Sequence, residues 1–207
     1  MSNRNYIFIK NIFDKIFSLI LLFSLVPLYI NIYIVLLLSQ GFPILFKQER
    51  AGYKGKSFKI YKFRTMRNIY DSRGILLPDI KRITKVGSFL RSSSLDELPS
   101  IINILFGQMS FVGPRPLPID YLPLYSKKQS KRHDILPGLT GWSQCNGRNS
   151  ISWDEKFNYD IWYVKNINLF LDLYILIKTI FVIFNKKIIN ANTQTTMEPF
   201  KGNKYDE

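Results

Sequence analysis

Residues 91–123, RSSSLDELPSIINILFGQMSFVGPRPLPIDYLP, hold the densest set of groups able to do chemistry in this chain. Asp96 and Glu97 are adjacent carboxylates, with Arg91 upstream and Arg115 downstream, in GPRP, as cations that could neutralise anions beside them. The run Ser94, Leu95, Asp96, Glu97 also matches an S-x-x-E capping box, so the same acids could simply start a helix. Pro99 is best tolerated in a first helical turn, which places a helix start close to both acids. At such an end the backbone N–H groups and the helix dipole favour anions, letting a carboxylate and a substrate phosphate share a small volume.

Several elements must position that cluster. Residues 58–66 have strand-like composition, and an extended chain there projects Lys62 and Arg64 from one face. Such cations could hold phosphate oxygens or could be a solvated strand edge protected by charge. Gly41, Pro43, Gly52 and Gly55 predict turns before the strand, and residues 68–85 read as a polar loop. A turn-rich stretch over residues 121–148 carries Trp142 and Arg148 and has the character of a site-lining loop. Residues 153–187 read as a largely apolar helix interrupted by Asp172 and Lys178, charges costly at a bilayer centre. The expectation is a helix lying in the interface or packed on the body, its terminal Lys186 and Lys187 toward anionic headgroups.

Residues 16–38, IFSLILLFSLVPLYINIYIVLLL, carry no charge and have the length of a membrane helix. No small-residue cleavage site follows, so the segment is expected to stay in the mature protein. Arg4, Lys10 and Lys15 precede it and Lys47, Arg50, Lys54 and Lys56 follow, which favours two cytoplasmic ends. Pro27 removes a hydrogen bond from the Phe23 carbonyl, with Ser24 and Asn31 near enough to satisfy freed groups. The residues alone leave open a re-entrant hairpin and a kinked single span.

Twenty-nine Lys and Arg against fifteen Asp and Glu give a net charge of +14, so the partners are expected to be anionic. Cys145 is the single cysteine, which excludes an intrachain disulfide framework, and with one histidine the chain lacks the ligands of a Cys/His zinc site. A catalytic metal would need carboxylates, which points to magnesium. His133 invites a general-base reading because imidazole titrates near neutrality, but a structural or substrate-lining role is preferred.

In order, SLDELP, GQMSFVGPRPL, YLPLY and RHDILPGLTGWSQCNGRN resemble the bacterial sugar transferases of the monotopic phosphoglycosyl transferase superfamily. The likeness runs from about Lys10 to TTMEPF and is nearest to small stand-alone members that transfer diacetylbacillosamine phosphate. It implies an α+β fold: a re-entrant helix-break-helix anchor over residues 1–40, broken near Ser24 and Pro27, then a mainly helical cytoplasmic catalytic domain over 41–207 with a short β-hairpin and interfacial helices. It implies that Asp96 attacks the β-phosphate of a UDP-sugar, releases UMP and holds the phosphosugar until undecaprenyl phosphate collects it. By the same resemblance Glu97 supports catalysis, Mg2+ touches Asp96, Arg91 and Arg115 bind phosphates, Lys62 and Arg64 border the site, and Arg148 lies on the nucleotide side. The setting implied is the cytoplasmic face of a bacterial inner membrane, among its lipids, with downstream glycosyltransferases as further partners. Asn11 stands where many relatives carry arginine, and Ser24 is separated from Pro27 rather than adjacent to it.

Three other functions remain to be weighed. One is the same reaction with another UDP-sugar in capsule, O-antigen or exopolysaccharide synthesis. A nucleic-acid-binding membrane protein would suit the charge, but no nucleic-acid module is recognisable, and nucleic acid is not expected as a partner. A scaffold that has lost its chemistry would not need the acidic pair.

Overall fold

The computed structural model describes residues 3–147, 150–184 and 198–202. It opens with helix α1 (Asn3–Ser24), which turns through 61° into α2 (Val26–Gln40). The break falls at Leu25, and Pro27 sits in the first turn of α2, where a missing N–H is tolerated. Ser24 and Asn31 do not reach the Phe23 carbonyl as expected. Ser24 Oγ donates to the Ile20 carbonyl at 2.8 Å, and Asn31 Nδ2 donates to that of Pro27 at 2.9 Å.

Helix α1 extends well before the uncharged stretch, and its polarity is inverted relative to a helix of a water-soluble domain. Lys10, Asp14 and Ser18, spaced four apart on one face, are buried, whereas Phe8, Phe13, Phe17, Ile20 and Phe23 face outward. In the sequence Lys10 counts among the positive charges that precede the apolar stretch. Its Nζ lies instead 2.6 Å from Asp172 and 3.7 Å from Asp14 inside the protein. Tyr6 and Tyr163 donate to Asp172 at 2.7 and 2.6 Å, and Ser110 donates to Asp14 at 2.6 Å.

After the anchor, β1 (Leu45–Ala51) and β2 (Ser57–Phe63) form an antiparallel hairpin with Leu45 opposite Phe63 and Ala51 opposite Ser57. The strand expected over 58–66 thus ends at Phe63, and its partner occupies a stretch read as turns. The presumed loop over 68–85 contains bridges Tyr70–Leu76 and Met66–Ile83 and a short helix α3 (Asp79–Arg82). Helix α4 (Lys85–Ser92) is capped by Thr84, whose Oγ1 accepts from Gly87 N at 2.9 Å. Gly87 has no room for a side chain: a Cβ there would lie 1.9 Å from the Thr65 carbonyl oxygen. That contact seats α4 directly on the extension of β2.

A 3-10 turn (Leu95–Ser100) leads into α5 (Ile101–Leu105), followed by β3 (Ser110–Val112). Two further 3-10 turns, Ile119–Leu124 and Gln129–Asp134, precede β4 (Gly138–Thr140), which pairs parallel to β3. The rest is helical: α6 (Trp142–Cys145), α7 (Trp153–Asn166) and α8 (Leu169–Phe184). The single helix expected over 153–187 is therefore two, and Lys186 and Lys187 lie outside the described residues. Asp172 does not interrupt an interfacial face; it points inward, while Phe170, Leu173, Ile177 and Phe181 are exposed.

The architecture is α+β and mostly helical, with two two-stranded sheets among the described residues. Its core has three parts. Val112, Tyr163, Ile167 and Ile175 form one, Phe58, Ile60, Ile104 and Met109 another. In the third, Ile32 and Leu36 of α2 pack with Ile44, Phe63 and Leu90, so the anchor and the body share a core. Breaking a buried ion pair strands the other charge, so Lys10→Met should cost roughly 3–5 kcal/mol. Thermal unfolding in detergent should show that loss, and adding Asp172→Asn should recover part of it; equal Tm for wild type and Lys10→Met would refute the assignment.

Candidate active site

The acidic pair sits in a turn fixed to its surroundings at three points. Ser100 Oγ donates to the Tyr61 carbonyl at 2.8 Å, and Asn103 accepts from Tyr61 N at 3.2 Å while donating to the Lys59 carbonyl at 2.8 Å. These bonds dock the turn and α5 onto β2, opposite Lys62. From the anchor, the Tyr29 hydroxyl donates to the Leu98 carbonyl at 2.7 Å, two residues beyond Asp96. The capping box expected at Ser94 is not formed. Ser94 adopts a left-handed conformation (φ 58°) and its side chain caps nothing, so the chain reverses sharply just before the acids. A capping box does start α7, between Ser152 and Glu155.

The two carboxylates have different partners. Glu97 Oε1 accepts from Lys62 Nζ at 2.5 Å and from Arg115 Nη2 at 3.0 Å. Burial pushes the Glu97 carboxyl up, but Arg115 and Lys62 outweigh it and hold the group well below the usual carboxylate range. Asp96 makes no hydrogen bond or ion pair with any described residue. Burial, and then the charge of Glu97, push it up to about 6, against the opposing pull of Lys62, Arg91 and Arg115. Two adjacent acids thus have distinct characters: one is an ion fixed by two cations, the other an unpaired group that titrates near neutrality.

The structure brings together Asp96, Glu97, Lys62, Arg91 and Arg115, all lining one open groove of about 1800 Å³. Arg91 is oriented by Thr65 Oγ1, which accepts from its Nε at 2.9 Å. Arg64 also lines the groove, but its guanidinium is turned toward the anchor. Its Nη2 donates to the carbonyls of Gln40 and Gly41 at 2.6 Å each, and Gln40 Nε2 donates back to the Arg64 carbonyl. Lys62 and Arg64 thus both line the groove, with Lys62 bonded to Glu97 and Arg64 to the end of α2. Arg148 lies outside the described residues.

Sequence reasoning missed a supporting layer. Buried Arg132 donates to Asp160 Oδ2 from Nε and Nη2 at 3.0 and 2.7 Å, and its Nη2 also donates to the Arg115 carbonyl at 2.8 Å. Ser143 donates to the other Asp160 oxygen at 2.7 Å. The available signal was Asp160 itself, a charge on the same helical face as Phe157 and Ile161. Arg50 and Lys156 were also missed; both line the groove, and Lys156 Nζ lies 4.8 Å from the centre of the Trp153 ring. Burial, and then Arg115, lower Lys156 to about 8. His133 is buried, with Nδ1 3.1 Å from the Gly52 carbonyl, and burial followed by Arg132 lowers it to about 4. That shift keeps the ring neutral near pH 7.

Magnesium fits the donor set in one mode. Among the described residues no three His, Cys, Asp or Glu side chains cluster as a protein cage. An unpaired carboxylate such as Asp96 nonetheless suits a cation carried largely by substrate phosphate oxygens and water.

Comparison with known proteins shows the family. Residues 5–186 match the family model described as Bacterial sugar transferase. An uncharacterized sugar transferase of Bacillus subtilis, EpsL, is 47% identical over 94% of this chain and 96% of its own length. A UDP-glucose:undecaprenyl-phosphate glucose-1-phosphate transferase of Xanthomonas campestris is 37% identical over 88% of this chain and 40% of its own. For the undecaprenyl-phosphate galactose phosphotransferase of Salmonella typhimurium the figures are 36%, 90% and 42%, so the chain spans about two fifths of these last two. With residues 5–186 matched and a relative 47% identical over nearly all of both chains, the chain belongs to the bacterial sugar transferase family.

Proposed function

We propose that this enzyme transfers a sugar 1-phosphate from a UDP-sugar to undecaprenyl phosphate, with Asp96 as the nucleophile. The observation that carries the reading is the division of labour between neighbours: Glu97 binds Lys62 and Arg115, which leaves the Asp96 carboxylate unpaired inside the groove. Relatives whose names specify undecaprenyl-phosphate glucose or galactose phosphate transfer support the reaction class. The sugars they name are glucose and galactose, which supports a UDP-sugar other than UDP-diacetylbacillosamine as the alternative donor.

In the first step a carboxylate oxygen of Asp96 attacks the β-phosphorus, the bond to the bridging oxygen breaks, and UMP leaves with that electron pair. Arg115 and Arg91 stand on either side of Asp96 in sequence and face the same groove, where they neutralise the charge that develops on phosphate oxygens. Lys62 and Glu97 hold Arg115 in place, and Arg132 fixes its backbone. Bound magnesium, held by Asp96 and substrate oxygens, would supply further charge neutralisation. In the second step a phosphate oxygen of the lipid attacks the same phosphorus, and the bond to Asp96 breaks, regenerating the carboxylate.

The proposal includes a re-entrant anchor, with residues 1–40 dipping into one leaflet and residues 41–207 on the cytoplasmic face. At 15 residues α2 spans about 22 Å, short of a hydrocarbon core of about 30 Å. Both arms also end on the same body: α1 through Lys10 and Asp14, α2 through Gln40 and Arg64. Two ends tied to one domain lie on one side of a bilayer. Single cysteines introduced in a Cys145→Ala background at Arg4 and Lys47 should react alike with a membrane-impermeant reagent in inside-out vesicles; reaction at only one of them would establish a span.

Asp96→Asn should reduce UMP release without lipid acceptor on the order of a thousandfold or more. Intact-protein mass measurement should show a phosphosugar adduct on the wild type alone. Absence of adduct in a fully active enzyme would point to direct transfer in a ternary complex. Because the active carboxylate must be ionised and titrates near 6, kcat/KM for the donor should fall about tenfold per unit as pH drops below about 6. Arg91→Met, which removes an opposing cation, should move that limb upward. Glu97→Gln should move it downward and lower kcat, since it removes a neighbouring anion and frees two cations to pair with Asp96; an unmoved limb in both variants would assign the titration to another group.

A further inference from the structure

Arg115 belongs to two neighbourhoods of charge. In one it acts on Asp96 together with Lys62 and Arg91. The other contains Arg50 of β1 and Lys156 of α7, which have no part in the attack on the β-phosphorus. Arg50 meets Lys62, Glu97 and Arg115 in the walls of a small pocket that Gly138 and Leu139 help to close. Burial, and then the charge of Arg115, lower the Arg50 guanidinium, and the same two causes lower Lys156. Arg50 and Lys156 both line the groove that holds Asp96.

The acids nearby are already engaged. Glu97 accepts from Lys62 and Arg115, and the two oxygens of Asp160 are bonded by Arg132 and Ser143. Arg50 Nη2 donates to the neutral Gln48 Oε1 at 2.5 Å, and Arg50 makes no ion pair with a described residue. A cation serving only to keep a strand edge soluble would sit in water, as Lys47 and Glu49 do on the same strand. Arg50 is half-buried instead. A desolvated guanidinium beside other cations is costly by itself, and an anion entering the pocket mouth would offset that cost.

We propose that Arg50, seconded by Lys156, binds the α-phosphate of the UDP-sugar and stabilises UMP as it leaves. This rests on the UDP-sugar reaction described above and assigns the part of the site that its first step leaves unnamed. The two phosphates of the donor are adjacent, so a cation shared by both belongs between them, and Arg115 holds that place between Asp96 and Arg50. As the Asp96 oxygen bonds to the β-phosphorus, the bond from that phosphorus to the bridging oxygen breaks. Its electron pair stays on the bridging oxygen and gives the UMP phosphate its second negative charge, with no proton required. Cations aimed where that charge develops favour the transition state over the bound donor.

The test uses the full chain in phospholipid nanodiscs with UMP and uridine as ligands, their dissociation constants read by ligand-observed NMR. UMP does not react with the resting enzyme, so this readout is independent of the nucleophile. Arg50→Met should weaken UMP about tenfold or more while uridine, which lacks the phosphate, stays within about twofold, and Arg50→Lys should recover part of the loss. Lys156→Met, on a different element, should weaken UMP about fivefold with uridine again unmoved. Arg73→Met, at an exposed arginine beside Asp71, should change neither. Equal losses for UMP and uridine would make Arg50 a structural prop and overturn the assignment, as would UMP affinity that neither Arg50→Met nor Lys156→Met changes. If UMP binding depends on Arg50 as stated while Asp96→Asn releases UMP at the wild-type rate, the α-phosphate site stands and the nucleophile falls. Release lost in Asp96→Asn, with UMP binding indifferent to Arg50, sinks the α-phosphate site alone.

Discussion

The site depends on Glu97 drawing Lys62 and Arg115 to one carboxylate oxygen. Two neighbouring acids in a partly desolvated groove cannot both be unpaired anions at low cost. Satisfying one of them with two cations leaves the other available, and the cations still lend it partial compensation through space. The same contact is mechanical. Lys62 belongs to β2 and Arg115 to the segment after β3, so Glu97 closes the acid turn against both sheets. A surface ion pair of this kind would be worth little. Here it is half-buried, shared by three groups, and backed by the buried Arg132–Asp160 pair through the Arg115 carbonyl.

Much of this chemistry was legible because the relevant residue types are sparse and close in sequence. Asp96, Glu97, Arg91 and Arg115 lie within one short stretch, and Lys62 was visible as a cation on a strand. What was not legible depended on contacts between distant segments. The S-x-x-E pattern promised a cap at Ser94, but the reversal needed to seat the turn on β2 puts Ser94 in a left-handed conformation, and its hydroxyl faces no helix donor. Strand periodicity placed Arg64 beside Lys62, but it could not show that the guanidinium caps the carbonyls that α2 leaves open. The strand β1 was hidden among charged residues and flanking glycines, and its register is set by its partner. The family pattern supplied roles that the spacing alone could not.

The anchor shows why hydropathy by itself misjudged its length. Its first four turns carry Lys10 and Asp14, which depress any average, but these charges face inward, Lys10 meeting Asp172, itself bonded by two tyrosine hydroxyls, and Asp14 meeting Ser110. The outward face remains hydrocarbon. The apparent interruptions at Lys10 and Asp172 are therefore one feature: a buried polar seam joining the first and last described helices, each presenting its greasy side outward.

The hydrogen bond from Tyr29 to Leu98 makes the anchor more than a tether. Since α2 also contributes Ile32 and Leu36 to the core beneath Leu90, the turn that carries Asp96 keeps a constant position relative to the bent helix pair. A floating domain on a flexible stalk would sample many heights and meet a phosphate at the interface only occasionally. With the bent pair seated in one leaflet as proposed, the bilayer itself would act as the gauge: whatever sets how deep the helices settle would also set the height of Asp96.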